Sequence, residues 1–112
     1  MSASHKETIE ELIRIDNSRH VHHLEKVLDD HVTKQENTKT VYTNIQEARE
    51  YYSMEHEANP SAQWKLLDFK QGDANSAQAT ISYNNHTYDT KYTFNSAGKI
   101  LKIESHLQQQ KQ

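Results

Sequence analysis

Eight histidines and the complete lack of cysteine bound the chemistry open to this chain of 112 residues. Without a thiol there is no thiolate nucleophile, no disulfide and no Cys-ligated zinc. His20 with His23, and His22 with Glu25, have the i, i+3 spacing that places two ligands on one helix face. A zinc site needs three or four convergent donors. His20, His22 and His23 diverge around a helix start, His31 falls on the following strand, and no H-E-x-x-H or Glu-x-x-His spacing occurs. The histidines therefore read as a solvated patch, and neither a metal nor another cofactor is expected. Asp29-Asp30 has the residue types of an acid–base pair, but sequence neighbours at a helix end do not face each other, so the pair reads as a helix-to-strand turn. Tyr51, Tyr52, Tyr88 and Tyr92 offer phenols to a pocket, or else pack as core with their hydroxyls satisfied. Trp64 reads as an anchor of sheet to helix.

The elements that would position these groups are legible from periodicity. Ser4 and Glu7 form a capping box, after which Ile9, Leu12 and Ile13 recur at helical spacing, predicting a helix from about Lys6 to Asp16 that Asn17-Ser18-Arg19 breaks. Val21, Leu24, Val27 and Leu28 form a second apolar stripe, ended by Asp29-Asp30, and a strand follows from His31 to Glu36. Thr43 with Gln46 opens a third helix with Ile45, Ala48, Tyr51 or Tyr52 and Glu55 inward, stopping before Pro60. From Gln63 the period changes to two, with strands at 63–70, 77–83, 86–94 and 99–106.

The clearest of these is a hairpin with Asn84-Asn85 as its two-residue loop, since asparagine tolerates the positive φ that such loops need. It pairs Ile81 with Tyr88 and Ala79 with Thr90. One face then holds Ala77, Ala79, Ile81, Tyr83, Tyr88, Thr90, Tyr92 and Phe94, the other Gln78, Thr80, Ser82, Thr87, Asp89, Lys91 and Thr93, as one-sided burial of an antiparallel sheet requires. A four-residue loop from Asn95 to Gly98 would set Tyr92 against Leu101 and Thr90 against Ile103. Leu66-Leu67 interrupts the alternation between Trp64 and Phe69, which predicts a bulge. The order is α-α-β-α-β-β-β-β, an α+β chain of one domain over residues 1–107 with a polar tail at 108–112.

A formal net charge of −3 leaves no basic stripe, which argues against nucleic acid as a partner. No run approaches the roughly eighteen apolar residues of a membrane span, and Met1-Ser2-Ala3-Ser4-His5-Lys6 lacks a hydrophobic signal core, so a cytoplasmic protein that does not engage membranes is expected.

The order of elements, with Leu24, Val27-Leu28-Asp29-Asp30-His31-Val32, then Tyr42 through Tyr52, then Phe94-Asn95-Ser96-Ala97-Gly98-Lys99-Ile100, resembles the nuclear transport factor 2-like superfamily, which includes ketosteroid isomerase and the SnoaL-like polyketide cyclases. The resemblance spans residues 6–106. It implies a cystatin-like cone, in which a strongly bent antiparallel sheet wraps the N-terminal helices and leaves a pocket at its open end. It further implies a pocket lined by Tyr52, Trp64, Tyr88, Thr90, Tyr92, Ile103 and Ser105, and pairing of two copies through the outer sheet face. In ketosteroid isomerase the general base is a carboxylate on the strand after the aspartate pair, for which Glu36 is the nearest match, sharing a face with Val32 and Lys34. That enzyme's protonated Asp in the third long strand matches Thr90, and its first-helix tyrosine matches Glu11 or Leu12. A threonine offers only a weak donor where that enzyme has a carboxylic acid, and oxyanion donors usually supply the largest catalytic share, so steroid isomerisation is not expected. Three readings follow. The first is a pocket that binds a small organic molecule without a complete catalytic set. The second is a SnoaL-like or isomerase-like enzyme moving a proton on a carbonyl compound with Glu36 as base, and the third a homodimeric adaptor with a filled pocket. Polar groups converging with Glu36 would separate them.

Overall fold

The capping box forms as the sequence predicts. Ser4 Oγ accepts from the Glu7 amide at 3.1 Å and Glu7 Oε1 accepts from the Ser4 amide at 3.0 Å, opening helix α1, His5–Ser18. The helix ends where Arg19 turns left-handed at φ 66°. The structure, a computed structural model, describes residues 4–108; most of the expected polar tail lies outside them. The stripe from Val21 does not make a second α-helix but a 3-10 turn, Val21–Lys26. It has no side-chain cap and is too short to recover the cost of helix nucleation, so it stays a single tight segment.

Leu28 already belongs to strand β1, Leu28–Glu36, so Asp29-Asp30 lies inside a strand and not at a helix-to-strand turn. Between Leu28 and Thr33 the pairing slips, and the aspartates occupy that irregular stretch. Asp29 holds it in shape, accepting from the His31 amide and from Asn95 Nδ2, both at 2.7 Å. The chain then turns back in a strand that the periodicity did not predict, β2, Lys39–Tyr42. Its turn is Asn37-Thr38, with φ 51° and 76°; a threonine there hides the usual Asn-Gly signal. Helix α2, Ile45–Ala58, is capped one residue later than predicted, by Asn44 Oδ1 accepting from the Glu47 amide. The predicted Gln46 partner fails because Glu47 reaches back to the Thr43 amide and hydroxyl instead.

Strands β3 (Lys65–Gln71), β4 (Ser76–Tyr83), β5 (His86–Phe94) and β6 (Ile100–Leu107) complete a six-stranded sheet in the order β2-β1-β6-β5-β4-β3. The sheet is mixed, because β1 runs parallel to β6. The Asn84-Asn85 hairpin has the predicted register at every pair from Ser76/Thr93 to Tyr83/His86, with both asparagines at positive φ. The bulge at Leu67 is present and leaves that side chain exposed. The β5–β6 register differs from expectation. Tyr92 pairs with Ile103 and Thr90 with Ser105, because Phe94 pairs with Ile100 and the ladder slips beside it. The loop is closed by Asn95 N–H donating to the Lys99 carbonyl, one residue beyond the four assumed, and Leu101 falls into the slip, more than a third exposed.

Ile9, Leu12 and Ile15 of α1, with Leu24 and Leu28, pack against Ala77, Ile81, Tyr92, Phe94, Ile100 and Ile103 of the sheet. The helices therefore lie on one face of the curved sheet, and the other face carries the polar half of the hairpin. Among the described residues no helix is long and apolar enough to cross a membrane.

Candidate functional site

Two lateral rows of the sheet build the floor of an inner cavity. The first runs Lys34, Ile103 and Tyr92 across β1, β6 and β5, and the second Glu36, Ser105 and Thr90. Each row is a set of register partners, so their side chains emerge on one face. Leu12, Ile13 and Asp16 of α1 cover the floor from one side, Tyr52 of α2 and Trp64 from another. Trp64 is fixed through its backbone, with Asn17 Oδ1 accepting from its amide at 2.7 Å and Asn17 Nδ2 donating to its carbonyl at 2.8 Å. Its ring stacks on Tyr83 with centroids 3.8 Å apart.

The cavity encloses about 20 Å³ and is lined by Glu36, Tyr52, Trp64, Tyr88, Thr90, Tyr92, Ile103 and Ser105 together with Leu12, Ile13, Asp16, Lys34 and Ile81. That is room for about one water molecule. The structure thus brings the sequence-predicted site residues to one place. Glu36 sits half-buried at the end of β1, and Thr90 Oγ1 and Ser105 Oγ, both buried, lie 3.3 Å apart. Of the two first-helix candidates, Leu12 lines the cavity, whereas Glu11 pairs with Arg14 on the helix surface.

Asp16 and Lys34 are the residues to which sequence reasoning gave no role. Both are buried, with 3% and 4% of their surface exposed. Asp16 is four residues after Leu12, on the apolar stripe of α1, and a carboxylate on such a stripe is the signal that could have found it. Lys34 alternates with Val32 and Glu36, so its inward face was legible and its burial was not. Its ammonium nitrogen sits over three aromatic rings, 5.1 Å from the Trp64 centroid, 5.2 Å from Tyr51 and 5.8 Å from Tyr52. Among the described residues no carboxylate comes within 4.0 Å of it.

Burial dominates the electrostatics of both groups. It pushes the Asp16 carboxyl well above its ordinary 3.8, opposed by the charge of Lys34. It draws the Lys34 ammonium below its ordinary 10.5, opposed by the charges of Glu36, Asp16 and Glu55. Ring faces also favour the ammonium, but each contributes only about 0.5–2 kcal/mol. Asp16 Oδ1 is buried without a hydrogen-bond partner, a costly arrangement for an ionised carboxylate. Desolvation thus disfavours the charged form of both groups, which face one water-sized space. Burial likewise raises the phenols of Tyr42 and Tyr52, whose oxygens lie 2.9 Å apart and satisfy each other. Away from the cavity, the rings of His20, His22 and His23 cluster on the 3-10 turn, His22 and His23 with centroids 4.2 Å apart.

No family model and no curated protein matches the sequence. Solved structures do. A SnoaL-like protein of unknown function from Burkholderia thailandensis superposes with a TM-score of 0.82 at 10% identity, over 94% of each chain. A SnoaL-like polyketide cyclase from Agrobacterium tumefaciens gives 0.78 at 14% identity, over 96% of this chain and 94% of that one. An uncharacterised cystatin-fold protein from Novosphingobium aromaticivorans gives 0.76 at 14%, over 93% and 98%. At such identities the likeness is one of architecture, and it agrees with the strand order and the helix-covered sheet described above: the chain carries the cone-shaped α+β fold of the SnoaL-like and nuclear transport factor 2-like proteins.

Proposed function

We propose that the protein binds a small organic molecule in the cone cavity. One observation carries this reading: Asp16, Lys34, Glu36, Thr90 and Ser105 converge on a single space walled by Leu12, Tyr52, Trp64, Tyr92 and Ile103. An apolar pocket with a few convergent polar groups and perturbed ionisable residues is the usual form of a ligand site. A cavity holding about one water admits the polar end of a small molecule. The fold is shared with a SnoaL-like polyketide cyclase, and polyketides are carbonyl-rich molecules. The test is a screen of short alcohols, ketones and carboxylic acids by amide chemical shifts. Binding should move the resonances of Lys34, Tyr52, Thr90, Ile103 and Ser105, and a screen in which none of these moves would overturn the reading.

A second reading is proton transfer on a carbonyl compound with Glu36 as base. Asp16 favours it, for a neutral carboxylic acid facing the cavity can donate to a developing enolate oxygen as an oxyanion donor does. The protein should then exchange the α-protons of a small ketone into D₂O, and Glu36→Gln should abolish the exchange while leaving the fold intact. We also propose homodimerisation through the outer face of β4 and β5, where Gln78, Thr80, Asp89 and Lys91 border an open depression of about 400 Å³.

A further inference from the structure

We propose that Lys34 is a nucleophile that captures short aldehydes as an iminium, with Asp16 as its acid; this rests on the cavity being a small-molecule site. Three observations point there. Lys34 is 4% exposed, and its amine ends in the cavity among Trp64, Tyr51 and Tyr52 with no carboxylate within 4.0 Å to hold it as an ion pair. Asp16, on the opposing helix, lines the same cavity and leaves Oδ1 without a partner. The space between is about 20 Å³, which suits a carbonyl group better than a larger electrophile. Within an apolar pocket a lysine loses the proton that silences it as a nucleophile, and burial acts on Lys34 in that direction.

The chemistry balances with these groups alone. The Lys34 nitrogen lone pair forms a bond to the aldehyde carbon as the carbonyl π bond breaks, and the oxygen takes the Asp16 proton, giving a protonated amine beside a carboxylate. That nitrogen returns one proton to Asp16, leaving a neutral carbinolamine. Asp16 then protonates the hydroxyl, which departs as water while the nitrogen lone pair forms the C=N bond. One amine, one aldehyde and one carboxylic acid yield one iminium, one carboxylate and one water. The product cation lies over the three rings with the Asp16 carboxylate as counter-ion, so each supports the other.

The test is reductive trapping on the full chain with acetaldehyde and cyanoborohydride at pH 7, followed by peptide mapping. Lys34 should be ethylated faster than the exposed lysines Lys39, Lys65, Lys70 and Lys91, by about tenfold for each unit by which burial lowers its pKa. Asp16→Asn, with its fold checked by circular dichroism, should lose that preference while still labelling the surface lysines. Labelling of the surface lysines with Lys34 untouched would overturn the proposal, and unchanged Lys34 labelling in Asp16→Asn would overturn the role of the acid. Propan-2-ol, which has no carbonyl, separates the two readings. If it moves the cavity amides while Lys34 stays unlabelled, the binding site stands and the nucleophile falls; if neither occurs, both fall.

Discussion

Lys34 is where burial and charge are most directly opposed. Its stem and amine sit in an aromatic enclosure, and its folded-state pKa is lower than the 10.5 it would have unfolded. A cation with a depressed folded pKa binds its proton more readily when unfolded, so its unfavourable contribution grows as pH falls from 10.5 toward the folded value and is constant below that. Lys34→Met keeps the length and removes the charge, and it should stabilise the protein by about 1 kcal/mol or more near pH 6, in line with replacements of buried ionic groups by apolar ones. The gain should shrink as pH rises toward 10.5. Urea melts at pH 6 and 10 measure this, and a variant less stable than the wild type at pH 6 would show that the ammonium is favourably held. Asp16 has the opposite slope. Its folded pKa is raised above 3.8, so its neutral form supports the fold below that pH and the support is lost as pH climbs through the folded value. Asp16→Asn should therefore flatten the fall in stability as pH rises above about 3.8.

The two hairpins are specified to different degrees. In β4–β5 the asparagine loop and the two-face alternation agree, and a one-residue slip would bury Asp89 or Lys91. Ile81→Ala and Ile103→Ala, at buried positions beside the cavity, should cost about 2–5 kcal/mol, against less than about 0.5 for Thr80→Ala or Lys91→Ala on the other face. Equal melting shifts for the two sets would refute the burial assignment. In β1–β2 the turn works against its own residues, since Thr38 is β-branched and holds φ 76°. Thr38→Gly should stabilise by about 0.5–1 kcal/mol by releasing that strain, although glycine adds freedom to the unfolded chain. A loss on thermal melting would mean the threonine side chain contributes more than its backbone costs.

At the scale of the molecule, pairing through the outer sheet face is a proposal with a sharp test. That face is polar, so a dimer built on it should be wet and modest in affinity. Thr80→Lys with Thr93→Glu should dissociate it and leave the monomer folded. Sedimentation showing a monomer at about 100 μM for the unmodified protein would defeat the idea, an affinity weaker than that being worth less than about 5.5 kcal/mol. How the fold arises divides along the same line of local against distant. Local rules determined α1 through its capping box, the β4–β5 register through alternation and Asn84-Asn85, and the Leu67 bulge through a broken period, because each depends on residues within a few positions of one another. The parallel pairing of β1 with β6 joins residues about seventy apart, and nothing nearby in the chain announces it. That pairing lays Lys34 beside Ile103 and Glu36 beside Ser105, and α1 then closes over them with Asp16. The sequence alone could thus place Glu36 and Lys34 on one face of a strand. Only tertiary packing removed the water from Lys34 and Asp16, and desolvation, the force that shifts both toward neutrality, exists nowhere in the chain until it folds.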